Sequence, residues 1–233
     1  MSLRNAWDDH ARSWIAWARA PGHDSYWQFH GRRFLELLPG PGRLTVDVGT
    51  GEGRLARDLR ALGHPVVALD ASATLARAAA TGDDALPVVQ AGAAALPLAT
   101  GCADLVVAFM VLQDVDELEA AVAEAARLLD RRGVLCLAIV HPVNSAGAFE
   151  GEGREAPFVI GGSYTASTRY HDDVERDGLS MTFHSEHRPL QAYAEALEGA
   201  GLVVERIREV TVDDPEDRWR RIPLFLHLRA RPG

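Results

Sequence analysis

The chain has 233 residues, 47% hydrophobic and 24% charged, which is typical of a soluble globular protein with one full α/β core. Its formal net charge of −9 lacks the basic excess that a phosphate-tracking surface needs, and this disfavours a nucleic-acid partner. The chain contains no lysine, which excludes Schiff-base and pyridoxal-phosphate chemistry, a Walker A loop and the Tyr–Lys pair of short-chain dehydrogenases.

The sequence carries no signal for a membrane or for secretion. No apolar run is long enough to span a bilayer, and Met1 to His10 contain no apolar signal-peptide region. Cys102 and Cys136 lie in apolar, strand-like contexts, which predicts buried free thiols rather than a disulfide. We therefore expect a cytoplasmic protein without membrane contact.

The segment from Arg43 to Val140 alternates short apolar runs with helical patterns. Strands are predicted over residues 44–48, 65–70, 86–90, 103–110 and 134–140, and helices over residues 54–62, 72–80 and 117–129. Apolar strands that alternate with helices indicate a parallel sheet covered on both faces.

Two segments fall outside this pattern. Residues 1–38 are rich in aromatic side chains and are predicted to be helical. Residues 141–188 are polar and glycine-rich, with a hairpin predicted to turn at residues 175–178; a connection of this length is typical of a lid or a binding element. A helix over residues 190–200 and an antiparallel pair of strands, 203–212 and 223–230, complete the prediction.

The first strand ends in a glycine turn that opens the next helix and reads Asp47-Val48-Gly49-Thr50-Gly51-Glu52-Gly53. Three glycines after a strand occur in many nucleotide-binding folds, so by themselves they are a weak indicator of which ligand binds. A dinucleotide would place its pyrophosphate at the helix N-terminus, where Asp47 and Glu52 would repel it. The same acids favour the sulfonium and ammonium cations of S-adenosylmethionine (SAM).

Asp70 ends the second predicted strand, about twenty residues after the glycine turn. A carboxylate at this position can accept hydrogen bonds from both ribose hydroxyls of an adenosine. The alternative is that Asp70 only caps the following helix.

Four stretches together resemble the class I SAM-dependent methyltransferases: residues 46–53, Leu69-Asp70-Ala71-Ser72, Ala95-Leu96-Pro97-Leu98 and residues 103–107. More narrowly, they are similar to the small-molecule branch related to the ubiquinone and menaquinone biosynthesis methyltransferases. The resemblance is strong over about residues 40–140, and the stretch from His187 to Leu202 resembles a subgroup of these enzymes.

The resemblance implies a Rossmann-like α/β fold with a seven-stranded, mostly parallel sheet of order 3-2-1-4-5-7-6, strand 7 antiparallel, and helices on both faces. We interpret residues 1–233 as a single domain with an N-terminal helical cap (1–38), a cofactor-binding core (40–140), a lid inserted after strand five (141–188) and a C-terminal part (189–233).

The resemblance also implies SAM as the cofactor, with ten residues expected to bind it: Asp47, Gly49, Thr50, Gly51, Asp70, Ala71, Ala93, Ala94, Phe109 and Met110. The family usually has an Asp that reads the adenine amino group where this chain has Gly92. Backbone groups of Ala93 and Ala94, together with packing, are expected to hold the adenine instead.

The methyl acceptor is expected to be a small molecule lined by Trp7, Tyr26, Gln113, Asp114 and Arg188. Helix capping is the alternative for Gln113 and Asp114, and a salt bridge to a lid acid is the alternative for Arg188. His141, after strand five, is the candidate general base, with a turn histidine bonded to backbone as its alternative.

No metal site is predicted, because His184 and His187, with Asp172 and Asp173, fit no standard zinc spacing. The predicted reaction is direct displacement of the methyl group from the sulfonium. The sequence leaves open a non-catalytic SAM-fold binding protein or sensor, an NAD-dependent oxidoreductase, a nucleic-acid methyltransferase, and assembly as a homodimer.

Overall fold

The structure is a computed structural model that describes residues 2–81 and 84–233. Its strands, in chain order, are β1 (Thr45–Val48), β2 (Val66–Asp70), β3 (Val88–Gln90), β4 (Ala103–Phe109), β5 (Leu129–Val140), β6 (Gly147–Phe149), β7 (Phe158–Ile160), β8 (Thr168–Arg176), β9 (Leu179–His187), β10 (Leu202–Val210) and β11 (Phe225–Pro232). Its α-helices are α1 (Leu3–Arg19), α2 (Gly31–Leu35), α3 (Arg54–Ala61), α4 (Ala73–Ala79), α5 (Leu118–Leu128), α6 (Pro142–Ala146) and α7 (Leu190–Gly199).

The main sheet has the strand order β10-β11-β5-β4-β1-β2-β3. The first five strands in the chain run parallel, whereas β11 is antiparallel to both β5 and β10. Counted within the sheet alone, this is the order 3-2-1-4-5-7-6 with an antiparallel seventh strand. The predicted fold class is therefore confirmed.

The central strands are buried because helices cover the sheet on both faces. One core packs α5 and α7 against residues such as Val106 and Ile139, and the other packs α2 and α3 against the alternate residues Val107 and Cys136. Since neighbouring strand residues point to opposite faces, continuous apolar runs such as β4 are what a doubly covered strand requires.

The insertion between β5 and α7 holds two hairpins, β6–β7 and β8–β9. We call residues 168–187, which form β8 and β9, the lid hairpin. It turns at Asp177 and Gly178, both with positive φ (50° and 77°), as a two-residue hairpin of this kind requires. The turn predicted within residues 175–178 is confirmed.

Helix α1 packs on the lid hairpin through one aromatic side chain of β9. The ring of Phe183 lies 5.9–6.4 Å, centroid to centroid, from the indoles of Trp7, Trp14 and Trp17, all edge-on. The indole Nε1 of Trp7 also donates a hydrogen bond of 3.0 Å to the carbonyl oxygen of His184. The N-terminal helix and the lid hairpin therefore form one wall, although about 150 residues separate them in the chain.

Cys102 and Cys136 are free thiols among residues 2–81 and 84–233, with Cys136 fully buried and Cys102 partly exposed. In the described part of the chain, no helix is long and apolar enough to cross a membrane.

We expect Phe183→Ala to separate α1 from the lid hairpin without unfolding the sheet. Removing a partly buried phenylalanine that packs on three indoles should lower the free energy of unfolding by about 2 kcal/mol. Hydrogen exchange should then speed up in α1 and the lid hairpin but not in β1 and β4.

Phe158→Ala is the matched control, because Phe158 packs with Phe149 and Trp219 instead of α1. It should leave the exchange of α1 unchanged. Unchanged exchange of α1 in Phe183→Ala would contradict the role given to Phe183.

Candidate functional site

A cavity of about 500 Å³ opens at the carboxyl ends of β1, β2 and β4. This is the edge at which open α/β sheets bind ligands, and the volume is in the range of small-molecule sites. All ten residues predicted to bind the cofactor line it: Asp47, Gly49, Thr50, Gly51, Asp70, Ala71, Ala93, Ala94, Phe109 and Met110.

The cavity has two halves. The glycine-turn half is lined by Asp47 and by residues 49–51, 70–72 and 91–95. The hairpin half is lined by Trp7, Gln113, Asp114, Tyr170, Asp172, Phe183 and Ser185. The indole of Trp14 lies between the halves, since it contacts Phe183 and would lie 3.2 Å from a Cβ added at Gly51.

The glycine turn needs residues without a side chain. Gly49 and Gly51 have φ of +68° and +61°, a region that L-residues with a Cβ rarely adopt. A Cβ at Gly49 would also lie 2.4 Å from the Cγ2 of Val111. The turn therefore brings backbone, rather than side chains, to the wall of the cavity.

Asp70 joins the glycine turn to the end of β2. One of its carboxylate oxygens accepts a hydrogen bond of 2.8 Å from the Gly51 N–H, and the other accepts one of 2.9 Å from the Ser72 N–H. Ser72, and not Asp70, caps α4, because its hydroxyl accepts from Leu75 N–H. Burial, partly offset by these two N–H groups, raises the pKa of Asp70 to about 6.

Asp47 is buried at the floor of the glycine-turn half, with 1% of its surface exposed. Its Oδ2 atom has no hydrogen-bond partner among the residues that the structure describes. Burial, with a smaller contribution from the charge of Asp70, raises the pKa of Asp47 to about 7. A buried, unpaired carboxylate beside a cavity is stabilised by a cationic ligand.

Glu52 was expected to favour the cations of SAM, but its carboxylate is paired within the protein. Its carboxylate pairs with Arg19 at 2.9 Å and with Arg57 at 2.5 Å, so its charge is neutralised within the protein. The negative charge available in the glycine-turn half therefore comes from Asp47 and Asp70.

Cross-strand pairing builds the wall of the hairpin half. Tyr170 and Asp172 of β8 stand opposite Ser185 and Phe183 of β9, so all four side chains share one face of the lid hairpin. The Ser185 hydroxyl donates a hydrogen bond of 2.7 Å to Asp114, which links this face to the loop after β4.

Asp114 and Gln113 form the polar centre of the hairpin half. The Gln113 Nε2 donates a 3.1 Å hydrogen bond to Asp114, while the buried Gln113 Oε1 has no partner in the described part of the chain. Burial raises the pKa of Asp114 to about 8, against the lowering effect of the hydrogen bonds from Ser185 and Gln113. Neither residue acts as a helix cap, because α5 begins at Leu118 with Glu117 at its cap position.

Trp7, Gln113 and Asp114 line the cavity. Tyr26 and Arg188, which were also predicted to contact the acceptor, are not among the described residues that line it. Tyr26 donates a 2.5 Å hydrogen bond to Asp58 and packs edge-on against Phe109.

Arg188 also lies outside the lining, because it acts as a buried brace. It donates hydrogen bonds to the carbonyl oxygens of Leu112 and Val115, at 3.0 and 2.7 Å, and pairs with Glu186. The alternative role, a salt bridge to a lid acid, is the one this geometry matches.

His141, the candidate base, lies outside the described lining as well. Its Nδ1 accepts from Val143 N–H at the start of α6, and its Nε2 contacts Glu209 at 3.1 Å. Burial lowers the pKa of His141. The alternative role, a turn histidine bonded to backbone, matches this geometry.

Two residues that the sequence did not single out, His30 and Arg54, line the cavity as well. His30 stacks on Phe225 with 3.7 Å between ring centroids, and burial lowers its pKa well below the usual range. Arg54 pairs with Asp24 at 3.0 Å. A single turn of π-helix, Tyr26–His30, positions His30; such turns are frequent at functional sites but have no simple sequence signature.

Gly92 lies in open space. A Cβ added to it would meet no described atom within 4 Å, so the missing side chain leaves room at the wall of the glycine-turn half. Among the described residues, no group of three or more His, Cys, Asp or Glu side chains is arranged to hold a metal ion.

Residues 46–137 match the family model of the methyltransferase domain. Over 104 residues, the chain is 38% identical to a malonyl-[acyl-carrier protein] O-methyltransferase of Enterobacter lignolyticus (strain SCF1). That alignment covers 45% of this chain and 38% of the relative, so the chain spans well under half of the length of the curated relative it matches.

Solved structures share the fold. An S-adenosylmethionine-dependent methyltransferase from Mesorhizobium loti superposes with a TM-score of 0.70 at 23% identity, covering 89% of this chain and 98% of that one. The glycopeptide N-methyltransferase MtfA in complex with SAM gives a TM-score of 0.61 at 16% identity, covering 87% and 92%. The resemblance to class I SAM-dependent methyltransferases is confirmed, and the narrower resemblance to the quinone-pathway branch stays a prediction.

We expect Gly51→Val to lower the affinity for S-adenosylhomocysteine (SAH), the demethylated form of SAM, by at least about tenfold, because a side chain would enter the cavity wall. Gly63→Val is the matched control, since Gly63 also has a positive φ (+92°) but lies outside the described lining. Calorimetric titration of both variants, with circular dichroism as a check of folding, measures the difference. Equal affinities in the two variants would show that the turn does not contact the ligand.

We expect the affinity for SAH to rise about tenfold between pH 6 and pH 7. A carboxyl with a raised pKa is protonated at the lower pH, whereas a cationic ligand binds its ionised form more tightly. Ionisation of Asp47, with a pKa of about 7, contributes about fivefold of this rise in affinity. The ligand's own amino group stays protonated in this window.

Asp47→Asn should reduce this rise to about twofold, the part that Asp70 contributes with its pKa of about 6. Calorimetry at several pH values in buffers of equal ionic strength makes the comparison. An affinity that is constant or falls between pH 6 and pH 7 in the unmodified protein would contradict the role of Asp47.

Proposed function

We propose, from the match of residues 46–137 to the methyltransferase domain, that the protein transfers a methyl group from SAM to a small-molecule acceptor by direct displacement. One observation carries the proposal: a single cavity joins a half suited to SAM with a half lined by aromatic and polar side chains.

The residues of the glycine-turn half fit SAM. Asp70 stands where a carboxylate can accept from ribose hydroxyls, and its oxygens keep lone pairs after accepting from Gly51 and Ser72. The unpartnered Oδ2 of Asp47 suits the ammonium or sulfonium cation. SAM supplies an electrophilic methyl group, whose departure leaves a neutral thioether.

The protein contributes alignment and exclusion of water. Helix α1 and the lid hairpin wall the cavity through Trp7 and Phe183, so the acceptor would sit between this wall and the loop after β4. Because the leaving group is neutral, holding the acceptor in line can supply much of the rate.

A small acceptor, rather than a nucleic acid, agrees with the charge of −9 and with the acidic lining of the cavity. The match to a malonyl-[acyl-carrier protein] O-methyltransferase supports a small methyl-accepting group. A cytoplasmic location and a homodimer remain part of the proposal.

The test is incubation with methyl-labelled SAM and a library of small-molecule acceptors, with tRNA and bulk protein as comparison substrates. We expect labelled product from members of the small-molecule library, lost in Gly51→Val and kept in Gly63→Val. Labelling of tRNA or protein alone would overturn the choice of acceptor.

A second candidate function is a non-catalytic protein that senses SAM or SAH. The open space at Gly92 favours it, because the usual adenine-reading carboxylate is missing. Tight binding of SAH without methylation of any acceptor would support this reading over the enzyme.

We expect Gly92→Asp to tighten SAH binding by up to about tenfold, because the position has room for a carboxylate that can accept from the adenine amino group. Gly92→Ala is the control, since it adds the Cβ without the carboxylate and should leave the affinity unchanged. Calorimetry compares the three proteins. Equal affinities of Gly92→Asp and Gly92→Ala would place the adenine away from residue 92.

A further inference from the structure

We infer that the hairpin half binds an acceptor that carries a protonated aliphatic amine, held by Asp114, Gln113 and Asp172 against an aromatic wall. The inference rests on the proposed function, since it names the class of acceptor for the same cavity. Its support is the charge balance, the oxygen acceptors and the aromatic walls of the hairpin half.

The charge balance of the described lining is acidic. Its acidic members are Asp24, Asp47, Glu52, Asp70, Asp114, Asp116, Glu117 and Asp172, against the two basic residues Arg4 and Arg54. Arginines neutralise three of the acids: Asp24 pairs with Arg54, Glu52 with Arg19 and Arg57, and Asp116 with Arg169.

Asp47 and Asp70 belong to the glycine-turn half, which leaves Asp114, Asp172 and Glu117 on the side of the acceptor. Arg4, an exposed residue of the first turn of α1, is the basic residue on the same side. Asp114 is largely protonated at pH 7 because burial raises its pKa to about 8, but Asp172 and Glu117 still outweigh Arg4. An anionic acceptor would therefore meet a net negative wall, whereas a cation would be attracted to it.

The oxygens of this half match an ammonium group. Asp114 accepts from Ser185 and Gln113, and each carboxylate oxygen can accept a further hydrogen bond. The buried Oε1 of Gln113 has no partner among the described residues and needs a donor. Asp172, two residues from Tyr170 on the same face of β8, adds a third acceptor at the mouth.

The aromatic walls suit the same cation. Trp7 and Phe183 meet edge-on with 6.3 Å between centroids, and Tyr170 lines the cavity beside them. Aromatic faces attract ammonium groups and pack against the carbon skeleton that carries them.

The test measures binding to the SAH-loaded protein of three small probes that differ in charge: phenethylamine, 2-phenylethanol and phenylacetate. We expect phenethylamine to bind at least tenfold more tightly than 2-phenylethanol, and phenylacetate to bind more weakly than both. Equal affinities, a preference for phenylacetate, or no binding of phenethylamine at millimolar concentration would overturn the inference.

Variants identify the residues responsible. Asp114→Asn and Asp172→Asn should each reduce the preference for the amine at least threefold, and Gln113→Leu should weaken the amine more than the alcohol. Asp173→Asn is the matched control, because Asp173 neighbours Asp172 on the opposite face of β8, outside the described lining. A preference that drops equally in Asp172→Asn and Asp173→Asn would point to long-range charge instead of contact.

A proton-linked signal tests Asp114 separately. The groups that face it are Ser185 and Tyr170 from the lid hairpin, Trp7 from α1, Gln113 beside it, and Arg188 and Tyr193 from the region of α7. Because burial raises its pKa to about 8, Asp114 holds a proton at pH 7 and should release nearly one proton when an ammonium group binds.

Calorimetry of phenethylamine in buffers of different ionisation enthalpy measures this release, which Asp114→Asn should abolish. Release that persists in Asp114→Asn would contradict contact between Asp114 and the amine. SAH binding is measured first: its failure would sink the proposed function, whereas normal SAH binding without amine preference would sink only this inference.

Discussion

The carboxylate of Asp70 is the interaction on which the rest of the site depends. It accepts from Gly51 N–H in the glycine turn and from Ser72 N–H at the start of α4, and so ties the ends of β1 and β2 together. The turn can approach a ligand only because glycine tolerates its positive φ, and the carboxylate holds that conformation in place. Burial raises the pKa of both Asp70 and Asp47 because it disfavours their ionised forms, and a cationic ligand stabilises those ionised forms.

The second half of the cavity is built by long-range packing. The lid hairpin brings Tyr170, Asp172, Phe183 and Ser185 to one face because strand residues alternate in direction. The indoles of α1 hold that face over the sheet, and Arg188 braces the loop that carries Asp114. The same chain thus positions two chemically different surfaces: backbone and buried acid on one side, aromatic rings and acids on the other.

Local patterns predicted the strands and helices of the core because buried parallel strands are continuous apolar runs between helices. Some helix ends are marked as well, such as the start of α4 by the cap residue Ser72 and the end of α3 by Gly63. The resemblance to a known family supplied the ten residues predicted to bind the cofactor. All ten line the cavity, since they lie at or beyond the carboxyl ends of strands that meet at one edge of the sheet. Local patterns do not determine the roles of Glu52, Tyr26, Arg188 and His141. Each depends on a partner far away in the chain, such as Arg19 for Glu52, Asp58 for Tyr26 or Glu209 for His141.

The sheet, its glycine turn and the acids at the ends of β1 and β2 can be predicted from the amino-acid sequence alone, because they follow from periodicity and from backbone conformations that only certain residues adopt. Only the tertiary structure decided which acids stay unpaired in the cavity and which side chains form its second wall. The register of the lid hairpin and its contact with α1 place Asp172 in the cavity wall and Asp173 on the opposite face of β8. A shift of the strand register by one residue would exchange the two positions. Charge neutralisation also depends on residues distant in sequence. Arg19 pairs with the carboxylate of Glu52 and neutralises its charge, while Asp47 has no such partner among the described residues.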